Sequence, residues 1–503
     1  MFTHMSKNPS IKIGFVAFCA VVAGIGGFLF GYDTAVINGA NTFLQEHFQL
    51  DPEKDSLLIG LATAAAIIGC IPGAMSAGFI SDKFGRRRVL FFCAVLYAVS
   101  GILSAVPERM ALLTNLWHEI AGPAGRESDV FVLFILARIL SGVAVGVSSM
   151  ICPIYIAEIA PPAWRGRLAT LFQLGIVTGI FLTLFINQRI QGLGSPAWGA
   201  DFGWRCMLAA ESLPALLFVF MLLGIPESPK WLIQAGREEE ARVTLLRIGD
   251  QLYADGEVAA VREVLEQEEG TFAELFSHRY RLPMIIALVL MVGSQFSGIN
   301  SIIYYSTDIF KKATGDAHAG FNCSVWIGLV NLLATLLAIA LVDKVGRKPL
   351  LLVGNAIQVV ALAAVGVLYV SAPESKALLG FVLLFTGAFN LATGPLSWVV
   401  CSEIFPAKLR GRAMSVATLA IWSSCLAVAQ SFPYLVQHPS IGPTRTFWIY
   451  AACSAITWAL ILALLPETKG KSLEQIELDF AKTRRVGPDP GHPRSGSAGA
   501  GPP

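Results

Sequence analysis

Apolar residues in this chain gather into long uninterrupted runs, without the alternating or three-to-four-residue spacing of a half-buried soluble element. Twelve runs are legible, at 12–37, 57–80, 88–106, 130–156, 167–188, 206–225, 283–306, 322–342, 349–371, 377–401, 412–434 and 446–465. Each is close to the roughly 20 residues that a helix needs to cross a hydrocarbon layer about 30 Å thick. A lipid-embedded backbone must satisfy its own hydrogen bonds, so the runs predict twelve transmembrane helices. The first run is too long for a signal-peptide core and has no small-residue cleavage site followed by soluble sequence, so it is predicted to stay as a helix.

The polar breaks give an orientation. Loops after even-numbered runs are short and basic: "DKFGRRR" (82–88), "RGR" (165–167), "DKVGRK" (343–348) and "AKLRGR" (407–412). Loops after odd-numbered runs are longer and mixed, as in "EHFQLDPEKD" (46–55). An excess of Lys and Arg marks the cytoplasmic side, which predicts a multi-pass plasma (inner) membrane protein with both termini and segment 227–281 in the cytoplasm. That segment carries "REEEARVTLLRIG" and "VREVLEQEE", with apolar residues at helical spacing, and predicts short amphipathic helices on the cytoplasmic face. The Pro/Gly/Ser-rich tail is expected to be disordered from about 482.

Composition agrees. The chain is 54% hydrophobic and 14% charged, against about 25% charged in an ordinary soluble protein, and its mean hydropathy is +0.62. A net charge of +2 gives no reason to expect nucleic acid. The nine cysteines lie mostly in apolar runs without paired spacing and read as reduced packing residues. "NCS" at Asn322 fits a glycosylation pattern but abuts a membrane boundary and reads as a chance match. No nucleophile–base pair or metal-ligand cluster appears, so neither an enzyme nor a cofactor is expected.

The chain also repeats. "AEIAPPAWRGR" (157–167) is answered by "SEIFPAKLRGR" (402–412), "DKFGRR" (82–87) by "DKVGRK" (343–348), and "PESPKW" (226–231) by "PETKGK" (466–471). All three pairs fall at matching places in two sets of six runs. This predicts a parallel duplication with a site between the halves near the membrane midplane: residues 1–226, a linker 227–281, residues 282–466, and a tail 467–503.

These motifs resemble those of the sugar porter family of the major facilitator superfamily, over roughly residues 12–480. "FGYDTAVI" and "GINSIIYYS" look most like bacterial D-xylose:proton symporters. The resemblance implies an all-α fold of twelve transmembrane helices in two six-helix halves, working as a monomer and carrying a monosaccharide. It also implies a charged cytoplasmic gate of Asp82, Arg86, Arg87, Glu158, Arg165, Glu227, Asp343, Arg347, Glu403 and Arg410. Glu158 with Arg165, and Glu403 with Arg410, can pair across the helix ends while the site faces outward. Exposed pairs are individually weak, so such a latch must be a network. The alternative is that these arginines only set topology.

Three ionisable residues lie at membrane depth, where charge is costly and marks function by default: Asp33, Arg138 and Glu211. Counting from the run ends at 1.5 Å per residue puts all three roughly 7–12 Å below the outer face. Opposite charges at equal depth on runs 1, 4 and 6 are expected to meet. They read either as static helix glue or as a proton switch, in which protonated Asp33 frees Arg138 to turn to Glu211. In the symporters that the chain resembles, the acid matching Asp33 is the coupling residue, whereas facilitative members carry Asn.

The resemblance further implies sugar contacts from Gln173, Gln295, Asn300, Asn331, Trp398 and Trp422, outer-gate tyrosines at Tyr304 and Tyr305, and a loosened run 10 at Gly394-Pro395. Amides both donate and accept, which a polyol requires, and Trp offers an apolar face to a pyranose. Gln295 and Asn300 are about 140° apart on an ideal helix, so they reach one ligand only if the helix deforms, for which Gly298 is placed. Ser294 and Ile421 depart from the family's usual amides. The expected function is import of a hexose or pentose by alternating access with proton symport through Asp33. The alternatives are a facilitative uniporter or a non-transporting sugar sensor.

Overall fold

The computed structural model describes residues 11–109, 126–265, 271–469 and 475. Twelve of its helices are long and apolar enough to cross a membrane. They are numbered here as spans 1 to 12: Ile13–His47, Ser56–Phe84, Arg86–Ala105, Asp129–Ile159, Pro162–Gln191, Pro196–Leu223, Arg281–Lys312, His318–Val342, Arg347–Ser371, Lys376–Glu403, Lys408–Gln437 and Gly442–Leu464. The predicted runs find their spans, but several ends move. Span 1 continues ten residues past the predicted end at 37, and span 7 continues to 312 rather than 306. The predicted disordered tail lies outside the described residues.

Three spans are not regular helices. Span 7 breaks into Arg281–Phe296 and Ile299–Thr314 because Gly298 sits at φ +82°, a left-handed conformation that favours glycine. Spans 6 and 10 each contain a π-helical turn, at Gly199–Gly203 and Phe389–Thr393. The second ends at Gly394-Pro395, where proline removes a backbone donor. Such turns are frequent at functional sites.

Between the halves lie helices Pro229–Gln234, Glu238–Ile248, Gln251–Leu265 and Phe272–Leu275. The first three pack on the first half. Lys12 N donates to Ile248 O at 2.7 Å, and the Arg247 guanidinium lies 4.4 Å from the Phe15 ring centre. All of these elements share one end of the bundle with the chain's first and last described residues, and that end is called the terminal face; the opposite end is the distal face.

The buried apolar residues divide unequally. One large cluster on the distal side mixes both halves, from Val36 and Phe43 of span 1 to Ile302, Phe310 and Phe432. Toward the terminal face there are separate clusters, one built from residues 16–258 and the other from 275–465.

Candidate functional site

Asp33 and Arg138 meet. Arg138 Nη1 donates to Asp33 Oδ1 at 2.6 Å, its Nη2 donates to the Asp33 carbonyl at 3.2 Å, and Ser141 Oγ donates to the same carboxylate oxygen at 2.5 Å. Both charged side chains are almost fully buried, at 2% and 1% exposure. Glu211 is fully buried on span 6 beside Asp33 and Arg138, and neither of its carboxylate oxygens accepts a hydrogen bond from an N–H or O–H donor among the described residues. Asp33 is fourteen residues before the end of span 1 at His47, about 21 Å along the axis, because the span outruns its apolar run.

A second polar group forms around the break in span 7. Gln295 and Asn300, which an unbroken helix would hold apart, touch across Gly298: Asn300 Nδ2 donates to Gln295 Oε1 at 2.5 Å. Asn300 Nδ2 also lies 3.0 Å from Cys425 Sγ on span 11, and Tyr304 OH is 3.9 Å from the same sulfur. Trp422, one helical turn before Cys425, packs its ring against Phe30 of span 1 at 5.6 Å between centres. Gln173 and Trp398 are half-buried at membrane depth, and Asn331 is buried with its Oδ1 unpaired among the described residues. Among the described residues no hydrogen bond joins these three side chains to the Gln295–Asn300–Cys425 group. Ser294, at the departure position, donates to Met291 O at 2.7 Å and accepts from Gln295 Nε2 at 3.2 Å.

The distal ends of the halves are joined by a polar zipper between spans 1 and 7. Asn38 Nδ2 donates to Ser306 Oγ at 2.7 Å and to Ile303 O, while Asn38 Oδ1 accepts from Thr307. Asp308 accepts from Asn41 Nδ2 at 3.1 Å, from Thr42 Oγ1 at 2.5 Å and from Gln45 Nε2 at 3.5 Å. Gln430 Nε2 of span 11 donates to Leu57 O of span 2 at 2.8 Å. Tyr305 OH donates within its own half, to Ala429 O at 3.1 Å.

Toward the terminal face the charged motifs pair inside each half, in a repeated pattern. Arg86 bonds Glu158 at 3.0 Å and Asp82 at 3.0 Å; in the second half Arg347 bonds Glu403 at 3.0 Å. Ser228 Oγ donates to Glu158 at 2.5 Å, as Thr468 Oγ1 donates to Glu403 at 2.6 Å. Glu227 caps the start of span 3 by accepting from Arg87 N at 2.9 Å, and Glu467 caps span 9 by accepting from Arg347 N at 3.1 Å. An acid at a helix start accepts otherwise unpaired N–H groups and suits the helix dipole. The arginine expected to face each acid is not its partner here. Arg165 is exposed, and Arg410 Nε has no hydrogen bond among the described residues. Arg86 and Arg347 open helices within reach of the acids and take both. The side chain of Asp343 lies outside the described residues.

Sequence reasoning missed Ser141, Cys425, Glu467 and the zipper. Glu467 was within reach, since "PETKGK" repeats "PESPKW" and Glu227 already had a role. Asn41, Thr42, Gln45 and Asp308 fell beyond the ends assigned to runs 1 and 7. Cys425 carried no signal.

A family model described as "Sugar (and other) transporter" matches residues 19–480. The arabinose-proton symporter of Bacillus subtilis is 37% identical over 476 residues, covering 94% of this chain and 97% of that protein. The D-xylose-proton symporter of Escherichia coli K12 is 35% identical over 481 residues, covering 93% and 96%. A partially occluded inward-open structure of the E. coli xylose transporter XylE superposes with a TM-score of 0.79 at 34% identity, covering 92% of this chain and all of that one. These relatives are transporters and not enzymes, and with the twelve-span fold they identify a multi-pass membrane protein. The chain belongs to the sugar porter family of the major facilitator superfamily.

Proposed function

We propose that this protein is a proton-coupled monosaccharide symporter that works by alternating access, with Asp33 as its protonation site. The observation that carries the reading is the buried group of Asp33, Arg138, Ser141 and Glu211, whose carboxylate accepts no bond from Arg138. Removing one partner from a buried ion pair typically costs about 3–5 kcal/mol. Protonating Asp33 therefore stresses Arg138, and Glu211 is the acid toward which Arg138 can turn. A sugar that prefers one of the two arrangements is then coupled to the proton, and the coupling is reciprocal. The names of the arabinose and xylose symporters support a proton co-substrate and make pentoses the first sugars to test.

The sugar is held between the halves by Gln173, Gln295, Asn300, Asn331, Trp398 and Trp422, with Tyr304 and Gly394 at the moving elements. The basic loops orient the terminal face to the cytoplasm. The distal zipper joins the halves on the outside while the terminal-face ion pairs stay within each half, which supports an inward-facing conformation here. In the outward-facing state Glu158 and Glu403 exchange partners to meet Arg165 and Arg410. One polypeptide carries the complete path, so the monomer is the working unit.

The test is sugar counterflow and sugar-driven alkalinisation in proteoliposomes, with L-arabinose, D-xylose and D-glucose. Asp33→Asn is expected to abolish alkalinisation and uphill transport while leaving counterflow. Alkalinisation that survives in Asp33→Asn would sink the assignment of the proton site.

A further inference from the structure

Asn300 is held in a way that decides what it can offer a ligand. A primary amide has two N–H donors and one carbonyl acceptor. Both donors of Asn300 are engaged within the protein, toward Gln295 Oε1 at 2.5 Å and Cys425 Sγ at 3.0 Å. Its Oδ1 takes no hydrogen bond among the described residues, and the side chain is half-buried at mid-membrane depth.

The sulfur stands where it can fix this orientation. Cys425 is 3% exposed on span 11. Cys425 and Trp422 are three residues apart, and so lie on one helix face; Trp422 rests on Phe30 of the other half, so this face looks across the interface between the halves. Asn300 and Tyr304 are four residues apart and present a matching stripe on span 7. The thiol reaches the span 7 stripe, 3.0 Å from Asn300 Nδ2 and 3.9 Å from Tyr304 OH. Thiol sulfur is a weak acceptor, but it is the partner that occupies the second amide hydrogen. Without it, that hydrogen is free and the amide can present either end to a ligand.

We propose that Cys425 is a positioning residue for the sugar: it fixes the Asn300 amide so that this residue meets the sugar as an acceptor only. The inference rests on the placement of Asn300 in the sugar site proposed above. The ligand it selects is an aldose whose hydroxyl at one ring position donates to Asn300 Oδ1. Fluorine at that position accepts weakly and cannot donate, so a fluorodeoxy sugar loses the bond.

The test uses purified protein in proteoliposomes. Counterflow of labelled D-xylose and D-glucose is measured with their monofluorodeoxy analogues as competitors, for wild type, Cys425→Ser, Cys425→Val, Cys425→Ala and Asn300→Ala. Wild type is expected to show one ring position at which fluorine weakens competition by about tenfold, the scale of one hydrogen bond. Cys425→Ser keeps an acceptor and is expected to keep that penalty. Cys425→Ala raises KM for the parent sugar by about threefold with kcat retained, and cuts the fluorine penalty at that one position to below about threefold. Cys425→Val, which preserves bulk, gives the same result and serves if the alanine variant does not fold.

Equal fluorine penalties in wild type and in the Ala and Val variants, with KM raised in Asn300→Ala, would overturn the positioning role and leave the sugar site standing. An unchanged KM in Asn300→Ala as well would overturn the site itself. A loss in Cys425→Ala spread evenly over all ring positions would mark a packing role and overturn the proposal.

Discussion

The two ends of the molecule are held together differently. At the distal face a single apolar cluster draws on both halves, and hydrogen bonds cross between spans 1 and 7 and between spans 2 and 11. Toward the terminal face each half keeps its own cluster and its own arginine–glutamate pair. Contacts inside a half can persist through a transport cycle, whereas contacts across the halves must be made and broken. The zipper suits that duty. Its amides, hydroxyls and the carboxylates of Asp308 and Glu46, the latter 3.8 Å from Lys311, can exchange their bonds for water if the distal end opens, which limits the cost of opening. Such an exchange would keep the gap between conformations to a few kcal/mol, within reach of binding at the proposed sugar and proton sites.

Close backbone packing gives the sharpest way to separate the two kinds of contact. A Cβ on Gly31 would lie 2.0 Å from the carbonyl of Ile176, inside the first half. A Cβ on Gly60 would lie 2.4 Å from the carbonyl of Gln430, across the halves. Both clashes are with backbone, which cannot swing away. Gly31→Val is expected to prevent folding of the first half, read as loss of a monodisperse peak in detergent; overpacking costs about 1–3 kcal/mol or more even where relaxation is available. Gly60→Val is expected to fold, because the halves can part at the distal face, but to stop transport. Hydrogen exchange should then rise at residues 38–45 and 303–308. Loss of folding in Gly60→Val, with Gly31→Val intact, would invert the comparison.

The zipper comes next in size. Asn38 is fully buried and bonds Ile303, Ser306 and Thr307 of the other half. Asn38→Leu leaves those partners without it, at about 1–3 kcal/mol, and is expected to shift the population toward the distal-open state by roughly that amount. Asp308→Asn keeps an acceptor and the side-chain shape, so its shift should be smaller. Distance distributions between spin labels on the distal ends of spans 2 and 11 would measure both. An unchanged distribution in Asn38→Leu would remove the zipper from the balance between states.

The zipper also marks what was legible in the sequence. The twelve spans and their pairing into halves could be read because lipid demands long apolar runs, and because the duplicated motifs fall in register. The span ends could not. Residues 38–45 and 307–312 mix polar and apolar positions, and they extend spans 1 and 7 because Asn38, Asn41, Thr42 and Gln45 find Ser306, Thr307 and Asp308 while Phe43, Leu44, Ile309 and Phe310 join the distal cluster, a tertiary fact. Asp33 and Arg138 could be matched by depth alone, since a buried charge requires an opposite one. Glu211 was placed beside them by the same count, but that no donor reaches its carboxylate was not legible, because charge pairing at one depth does not say which acid Arg138 bonds. Gln295 and Asn300 needed Gly298 to be read as a break, and the sequence offered that reading through the angle between them.

The terminal-face pairs should matter less for the balance between states. Glu158→Gln weakens the bonds from Arg86 and Ser228, and Glu403→Gln those from Arg347 and Thr468. The acids are partly buried, so each change is expected to cost about 1–2 kcal/mol of stability. The two sites lie in different halves and share no partner, so their effects on the melting temperature should add. A strongly non-additive double variant would show that the two networks communicate across the halves in this conformation.

The smallest effect belongs to Asp51, in the distal loop between spans 1 and 2. Its carboxylate accepts from Glu53 N at 2.8 Å and Lys54 N at 3.3 Å, and these bonds hold its pKa below the usual aspartate value. A depressed pKa means that the group supports the loop at neutral pH, where it is charged in folded and unfolded chains alike. The support is lost as pH falls below the ordinary aspartate range, about 3.9. Asp51→Ala should therefore speed amide exchange at Glu53 and Lys54 at pH 7 and change little at acid pH. Asp51 is distal yet bonds only its own loop, so the spin-label distances between spans 2 and 11 should not move. A shift as large as that of Asn38→Leu would mean that distal packing in general, rather than the bonds that cross the halves, sets the balance between states.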